Sequence, residues 1–129
     1  MAQIKIFGLK SSLDSHKLAL SGAIHSAVVE AFSYPTDKKF HRFLALDKSD
    51  FIYPESRSEN YTIIEISIFE GRSAETKKQL IKLIFENIER EVGINPQDVE
   101  ITIFETPKCN WGIRGKPGDE LLLDYKVNV

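Results

Sequence analysis

Two stretches of this chain repeat one another: Ile4–Ser11 read IKIFGLKS and Ile66–Ser73 read ISIFEGRS. In both, apolar and polar residues alternate as in a half-buried strand, the alternation ends in a glycine-containing turn, and a basic residue and a serine follow. Ile4, Ile6, Phe7, Lys10 and Ser11 thus correspond to Ile66, Ile68, Phe69, Arg72 and Ser73, and Leu46-Asp47 answers Phe104-Glu105 further on. A chain that repeats strand and helix in this way has few ways to fold.

The first unit reads as a strand over Gln3–Phe7, a helix from about Ser15 to Phe32 with Ser11, Ser12 and Asp14 as caps, and a second strand over Arg42–Leu46. Leu20, Ile24, Ala27, Val28 and Ala31 fall on one helical face, and Tyr34-Pro35 ends the helix. The second unit has a strand over Tyr61–Phe69, then a helix capped by Ser73 with Glu75 in its first turn. Leu80, Ile81, Ile84, Phe85, Ile88 and Val92 form its apolar stripe, Gly93 stops it, and Asn95-Pro96 turns the chain into a strand over Val99–Glu105. Right-handed crossovers join parallel strands in each unit. The expected fold is α+β: duplicated β-α-β units forming a four-stranded mixed sheet with two helices on one face. It is one domain, with repeats at about 2–50 and 61–115 and a tail at 116–129. The second face, expected to be rich in Ile, Phe and Leu, then needs a partner subunit to cover it.

Composition narrows the function. The 129 residues carry 17 basic and 19 acidic side chains, a formal charge of −2, which gives no field for nucleic acid or an anionic membrane. The single cysteine, Cys109, cannot form an internal disulfide, and the N-terminus lacks the apolar core of a signal peptide, so a cytoplasmic, reducing location is expected. No apolar run has the length of a membrane span.

ISIFEGRS followed by AETKKQL, DVEITIFE and NWGIRG resembles the tautomerase superfamily. Residues 63–115 are similar to a 4-oxalocrotonate tautomerase subunit, and the double-length architecture is similar to the malonate semialdehyde decarboxylase and chloroacrylate dehalogenase branches. The resemblance implies a homotrimer with sites between subunits and no cofactor. In such enzymes an N-terminal proline moves a proton on a small keto, enol or unsaturated carboxylic acid, arginines hold the carboxylate, and an aromatic wall lowers the local dielectric. An ordinary α-amino group titrates at about 7.7–8, so burial beside cations would make such a base useful at neutral pH.

The chain departs from that pattern at its start. It begins Met1-Ala2-Gln3-Ile4, and Thr62 stands at the corresponding place in the second unit. With proline absent, the candidate base is the amine of Ala2, or of Met1 if methionine stays. Arg72 matches the arginine of the family's GRS phrase and is the leading carboxylate ligand, since a guanidinium can pair with two oxygens at once; a solvated first-turn arginine is the alternative. Arg42 stands where the family often has a second arginine, whereas Glu100 at the equivalent place reverses the sign, so only one of two pseudo-equivalent sites suits an anion. Lys10 is a further candidate ligand. Trp111 and Ile113 match the aromatic-wall region, with a subunit contact as the compatible alternative. Asp37 falls near the acidic residue that assists hydration in the decarboxylase branch.

Other signals are weak. Gly112–Lys116 is too short for a phosphate loop and reads as a turn. His16 and His25 lack the i, i+4 spacing of a metal pair, and His41 is separate, so no metal site is expected. Lys38-Lys39 and Lys77-Lys78 read as solvated faces. Two functions therefore stand side by side: a tautomerase-like enzyme acting by proton transfer on a small carboxylic acid, or a proline-less trimer that binds small anions or serves a structural role.

Overall fold

The structure, a computed structural model, describes residues 2–129. Ala2–Leu9 form β1, Lys10–Phe32 α1, His41–Leu46 β2, Thr62–Phe69 β3, Ala74–Val92 α2 and Val99–Thr106 β4. The strands lie side by side in the order β2-β1-β3-β4. Within each half the pairing is parallel, β1 with β2 and β3 with β4, while β1 and β3 meet antiparallel at the centre. Ile4, which corresponds in sequence to Ile66, sits directly opposite it. A local two-fold therefore passes between these two residues, and the sequence repeat becomes a rotation in space.

Strand periodicity sends Ala2, Ile4, Ile6, Ile64, Ile66, Ile68 and Val99 to one face of the sheet, all buried. Both helices cover that face with Leu13, Leu20, Ile24, Val28, Leu80, Ile84 and Ile88. Ser73 caps α2 as expected, accepting a hydrogen bond from the Thr76 amide at 3.1 Å, and Gly93 ends the helix in the left-handed conformation at φ 79°. A buried amide missed in the sequence, Asn87, joins the helices by donating from Nδ2 to the Ala23 carbonyl at 3.1 Å.

Two expectations need correction. Ser11, Ser12 and Asp14 do not cap α1: the helix starts at Lys10 straight from the strand, with Leu9 at the cap position and no side-chain cap bond. Ser12 donates to Asn60 Oδ1 at 2.8 Å instead, and Asp14 pairs with Lys10 at 3.1 Å and Lys17 at 3.5 Å. The open face of the sheet is also less apolar than expected. Phe7, Leu44, Ile63 and Phe104 alternate there with Gln3, Lys5, Arg42, Glu65, Ser67 and Thr102, so it is a mixed surface.

Beyond β4, Gly112–Ile113 (β5) and Lys116–Pro117 (β6) pair as a small hairpin. Its turn residues Arg114 and Gly115 have φ of 51° and 82°, the two successive left-handed positions of a type I′ turn. From there residues 121–129 run back to the start of α2. Val127 is buried there, and the Ser73 amide donates to the Val129 carbonyl at 3.0 Å. Gly71, at φ 131°, admits this segment, because a Cβ on it would stand 2.8 Å from Asn128 Oδ1 and 2.9 Å from Val127 Cγ1. Among the described residues no helix is long and apolar enough to cross a membrane, and no group of three or more His, Cys, Asp or Glu is placed to hold a metal ion.

Candidate functional site

The antiparallel centre of the sheet decides which sequence candidates can meet. Ala2 pairs with Ile68, so the start of β1 lies beside the end of β3, where Gly71-Arg72-Ser73 lead into α2. On the helix side of this end, Arg72 is 5% exposed, and its guanidinium carbon lies 4.0 Å from the centre of the Phe32 ring. Its three nitrogens, Nε, Nη1 and Nη2, are buried and have no hydrogen-bond partner. Glu105, a carboxylate whose charge acts on it, is held by Lys77 at 2.6 Å. Burial lowers the Arg72 pKa from its ordinary value, with Tyr125, Tyr34 and Glu105 opposing that shift. A buried cation with every donor unspent is costly by several kcal/mol, on the order of what an ion loses on leaving water, and the arrangement suits an anion that brings acceptors of its own.

Tyr34 connects Arg72 to the strand start. It is buried, and its hydroxyl accepts a hydrogen bond from the Ala2 nitrogen at 3.0 Å. Its ring meets the Tyr125 ring edge-on with centroids 4.7 Å apart, and the two hydroxyls are hydrogen-bonded. Ala2 itself is 3% exposed, so its nitrogen lies in the interior next to the aromatic pair. Met1, the alternative amine, lies outside the described residues. Tyr34 and Tyr125 also line a cavity of about 210 Å³ whose wall includes Lys38, Arg114, Leu121 and Asp124.

The remaining candidates lie elsewhere in the chain. Arg42 is exposed on the edge strand, on the open face, and donates to Gln3 Oε1 at 3.3 Å. Trp111 also lies on the open face: its Nε1–H donates to Thr106 Oγ1 at 2.7 Å, and its ring packs edge-on against Phe69 with centroids 5.0 Å apart. It lines a shallow depression with Gln3, Ser67 and Phe104. Ile113 is half-buried in the hairpin beyond it. The sheet thus separates Arg42 and Trp111 from Arg72. Asp37 is exposed in the turn after α1.

Lys10 occupies the opposite end, since Gly8 pairs with Thr62, and there it is tied to Asp14. That end is chemically different from the Arg72 end. Tyr61 donates its hydroxyl to Glu100, Arg57 lies 3.5 Å from the same carboxylate, and Thr62 donates to the Asn60 carbonyl at 2.8 Å. Burial and the Glu100 carboxylate push the Tyr61 hydroxyl up to about 12. Here an acidic side chain is already satisfied by its neighbours.

Sequence reasoning missed Tyr34 and Tyr125 as members of the Arg72 cluster. Tyr34 served only to mark the end of a helix with Pro35, and nothing in the order of residues says that the segment after Leu121 returns to α2.

A fold with two fused β-α-β units and a buried arginine after the third of its four sheet strands can be set beside known proteins. A model of the family described as tautomerase enzyme matches residues 38–114. The probable tautomerase YusQ of Bacillus subtilis (strain 168) is 28% identical over 97 residues, covering 71% of this chain and 76% of that protein. Malonate semialdehyde decarboxylase has a similar structure, with a TM-score of 0.81 at 24% identity, over 92% of this chain and 99% of that one. A wild-type fused 4-OT, an asymmetric trimer, gives a TM-score of 0.79 at 19% identity over 91% and 96%. The match of the family model extends over more than half the sequence and includes the Arg72 phrase, and the β-α-β duplication agrees with it: the chain belongs to the tautomerase family.

Proposed function

We propose that this protein binds a small keto, enol or unsaturated carboxylic acid at Arg72 and moves a proton on it, in the manner of a tautomerase. The observation that carries this reading is the buried guanidinium with three unpartnered nitrogens, close to the Ala2 nitrogen through Tyr34. Arg72 takes the carboxylate. The α-amine, on Ala2 once Met1 is removed or on Met1 if it is kept, is the base. At Ala2, burial and the nearby guanidinium would both disfavour a second positive charge, which is what a base at this place requires. Lys10, at the far end of the sheet, stays outside this site.

The same reading makes the chain a single domain of two fused repeats, at about 2–50 and 61–115, assembled as a cytoplasmic homotrimer. In support, the similar fused 4-OT is a trimer, and Leu44 and Phe104 are exposed on the open face of the sheet. Packing of open faces would bring Trp111, Ile113 and Arg42 of one subunit towards the Arg72 end of another, completing a site that one chain holds in parts.

A second reading, an anion-binding trimer without turnover, is favoured by one observation. While residue 1 is attached, the Ala2 nitrogen is a main-chain amide already donating to Tyr34. The test is enol-to-keto conversion of phenylenolpyruvate by protein whose N-terminus is defined by mass spectrometry, beside Arg72→Ala and Ala2→Pro variants. Turnover that disappears with Arg72→Ala supports the enzyme. Absence of turnover in the native protein, with gain on Ala2→Pro, rejects it in favour of the binder.

A further inference from the structure

Arg42 lies on the other face of the sheet, so within one chain it does not serve the oxygen at the reacting end of a ligand held by Arg72. Tyr34 is placed to supply a donor there. A phenolic oxygen has one hydrogen to give and can accept from neighbours. The Ala2 N–H donates to it at 3.0 Å. Accepting from the strand start, 3.0 Å from the nitrogen proposed as the base, the phenol still has its own hydrogen to give. The phenol lines the 210 Å³ cavity. One O–H and three guanidinium nitrogens therefore collect on the helix side of one sheet end, and Glu105, the acidic group acting on Arg72, is bound to Lys77.

We propose that the Tyr34 hydroxyl donates a hydrogen bond to the carbonyl or enolate oxygen of the bound acid while Arg72 holds its carboxylate. This deepens the reading above and rests on it. In conversion of an enol acid to its keto form, the enol O–H bond breaks, its proton passes to the amine, and the amine returns a proton to the neighbouring carbon as the C–H bond forms. Negative charge rises on the oxygen after the first transfer and disperses after the second. Tyr34 keeps its own proton throughout and steadies that charge, in the way fixed donors assist such steps. Net burial holds its pKa above the ordinary tyrosine value, so it stays a donor across the neutral range. The site then selects acids that carry an oxygen next to the carboxylate over plain carboxylic acids.

The experiment compares binding of phenylpyruvate, which has that oxygen, with 3-phenylpropionate, which lacks it, to native protein and to Tyr34→Phe and Arg72→Ala variants, by calorimetry. Tyr34→Phe is expected to weaken phenylpyruvate about tenfold, the factor a hydrogen bond of ordinary strength contributes, and to leave 3-phenylpropionate unchanged; Arg72→Ala weakens both. In a fold-neutral companion, 3-fluorotyrosine at position 34, a stronger donor, should tighten phenylpyruvate alone. If Tyr34→Phe affects both acids alike or neither, the role of Tyr34 is overturned and the carboxylate reading stands. If native protein binds neither acid, the carboxylate reading is overturned and Tyr34's role with it.

Discussion

Replacing Arg72 with methionine should make the fold more stable, an unusual outcome for a buried residue. Methionine fills a similar volume beside Phe32 without bringing a charge inside. The arginine has three unpartnered nitrogens, and at about 1 kcal/mol for each, the low end for a buried unsatisfied group, the penalty is about 3 kcal/mol. Its position 4.0 Å over the Phe32 ring returns about 2 kcal/mol as a desolvated cation–π contact. The net gain on Arg72→Met is therefore about 1 kcal/mol, which for a chain of this length raises the midpoint of thermal unfolding by roughly 3–5 °C. Both proteins are to be melted at the same concentration and pH, with and without phenylpyruvate. Ligand should stabilise the native protein by about 2.7 kcal/mol at a hundredfold excess over Kd and so raise its midpoint, and leave the variant unmoved. A fall of several degrees in the variant without ligand would refute the reasoning, since it would mean that the guanidinium holds the fold together through partners of its own.

Other positions give separate tests. Gly71→Ala adds a Cβ within 3 Å of Val127 and Asn128 at a φ of 131°, so residues 125–129 should detach; loss of about 1–3 kcal/mol, with faster hydrogen exchange at the Ser73 amide, is expected. Ser73→Ala removes the α2 cap and should lower stability by about 1 kcal/mol in urea unfolding. His41 is held from its ordinary value of 6.5 down to about 4, first by burial and then by His25 and Lys39. The unfolded chain takes up that proton first, so stability is fully present above pH 6.5 and falls as pH drops towards 4; His41→Gln should flatten that slope in denaturation curves.

The fold was legible because its determinants are local and repeated. Alternation set the strands, the spacing of Leu80, Ile84 and Ile88 set the buried stripe of α2, and Ser73 and Gly93 marked its ends. The start of α1 was misread since three good capping side chains follow Leu9, and sequence alone does not reveal that Ser12 is taken by Asn60, distant in the chain. The candidate cluster was legible only through Arg72. Its tyrosine neighbours come from the end of α1 and from the returning segment after the hairpin, and such meetings depend on packing rather than on any local pattern. Arg42 and Trp111 were drawn to the site by the resemblance, which describes an assembly, whereas a single chain has them across the sheet from Arg72.

The contrast between the two ends of the sheet has a consequence for stoichiometry. A duplicated chain with a two-fold at Ile4 and Ile66 has room for two equivalent anion sites, yet at the second end Glu100 is already engaged by Tyr61 and Arg57. An acid arriving there would meet a carboxylate instead of unspent donors. Titration with phenylpyruvate should therefore saturate at one equivalent per chain with a single affinity class, and a trimer would behave as a three-site receptor. On the proposed reading, the duplication doubles the scaffold without doubling its capacity.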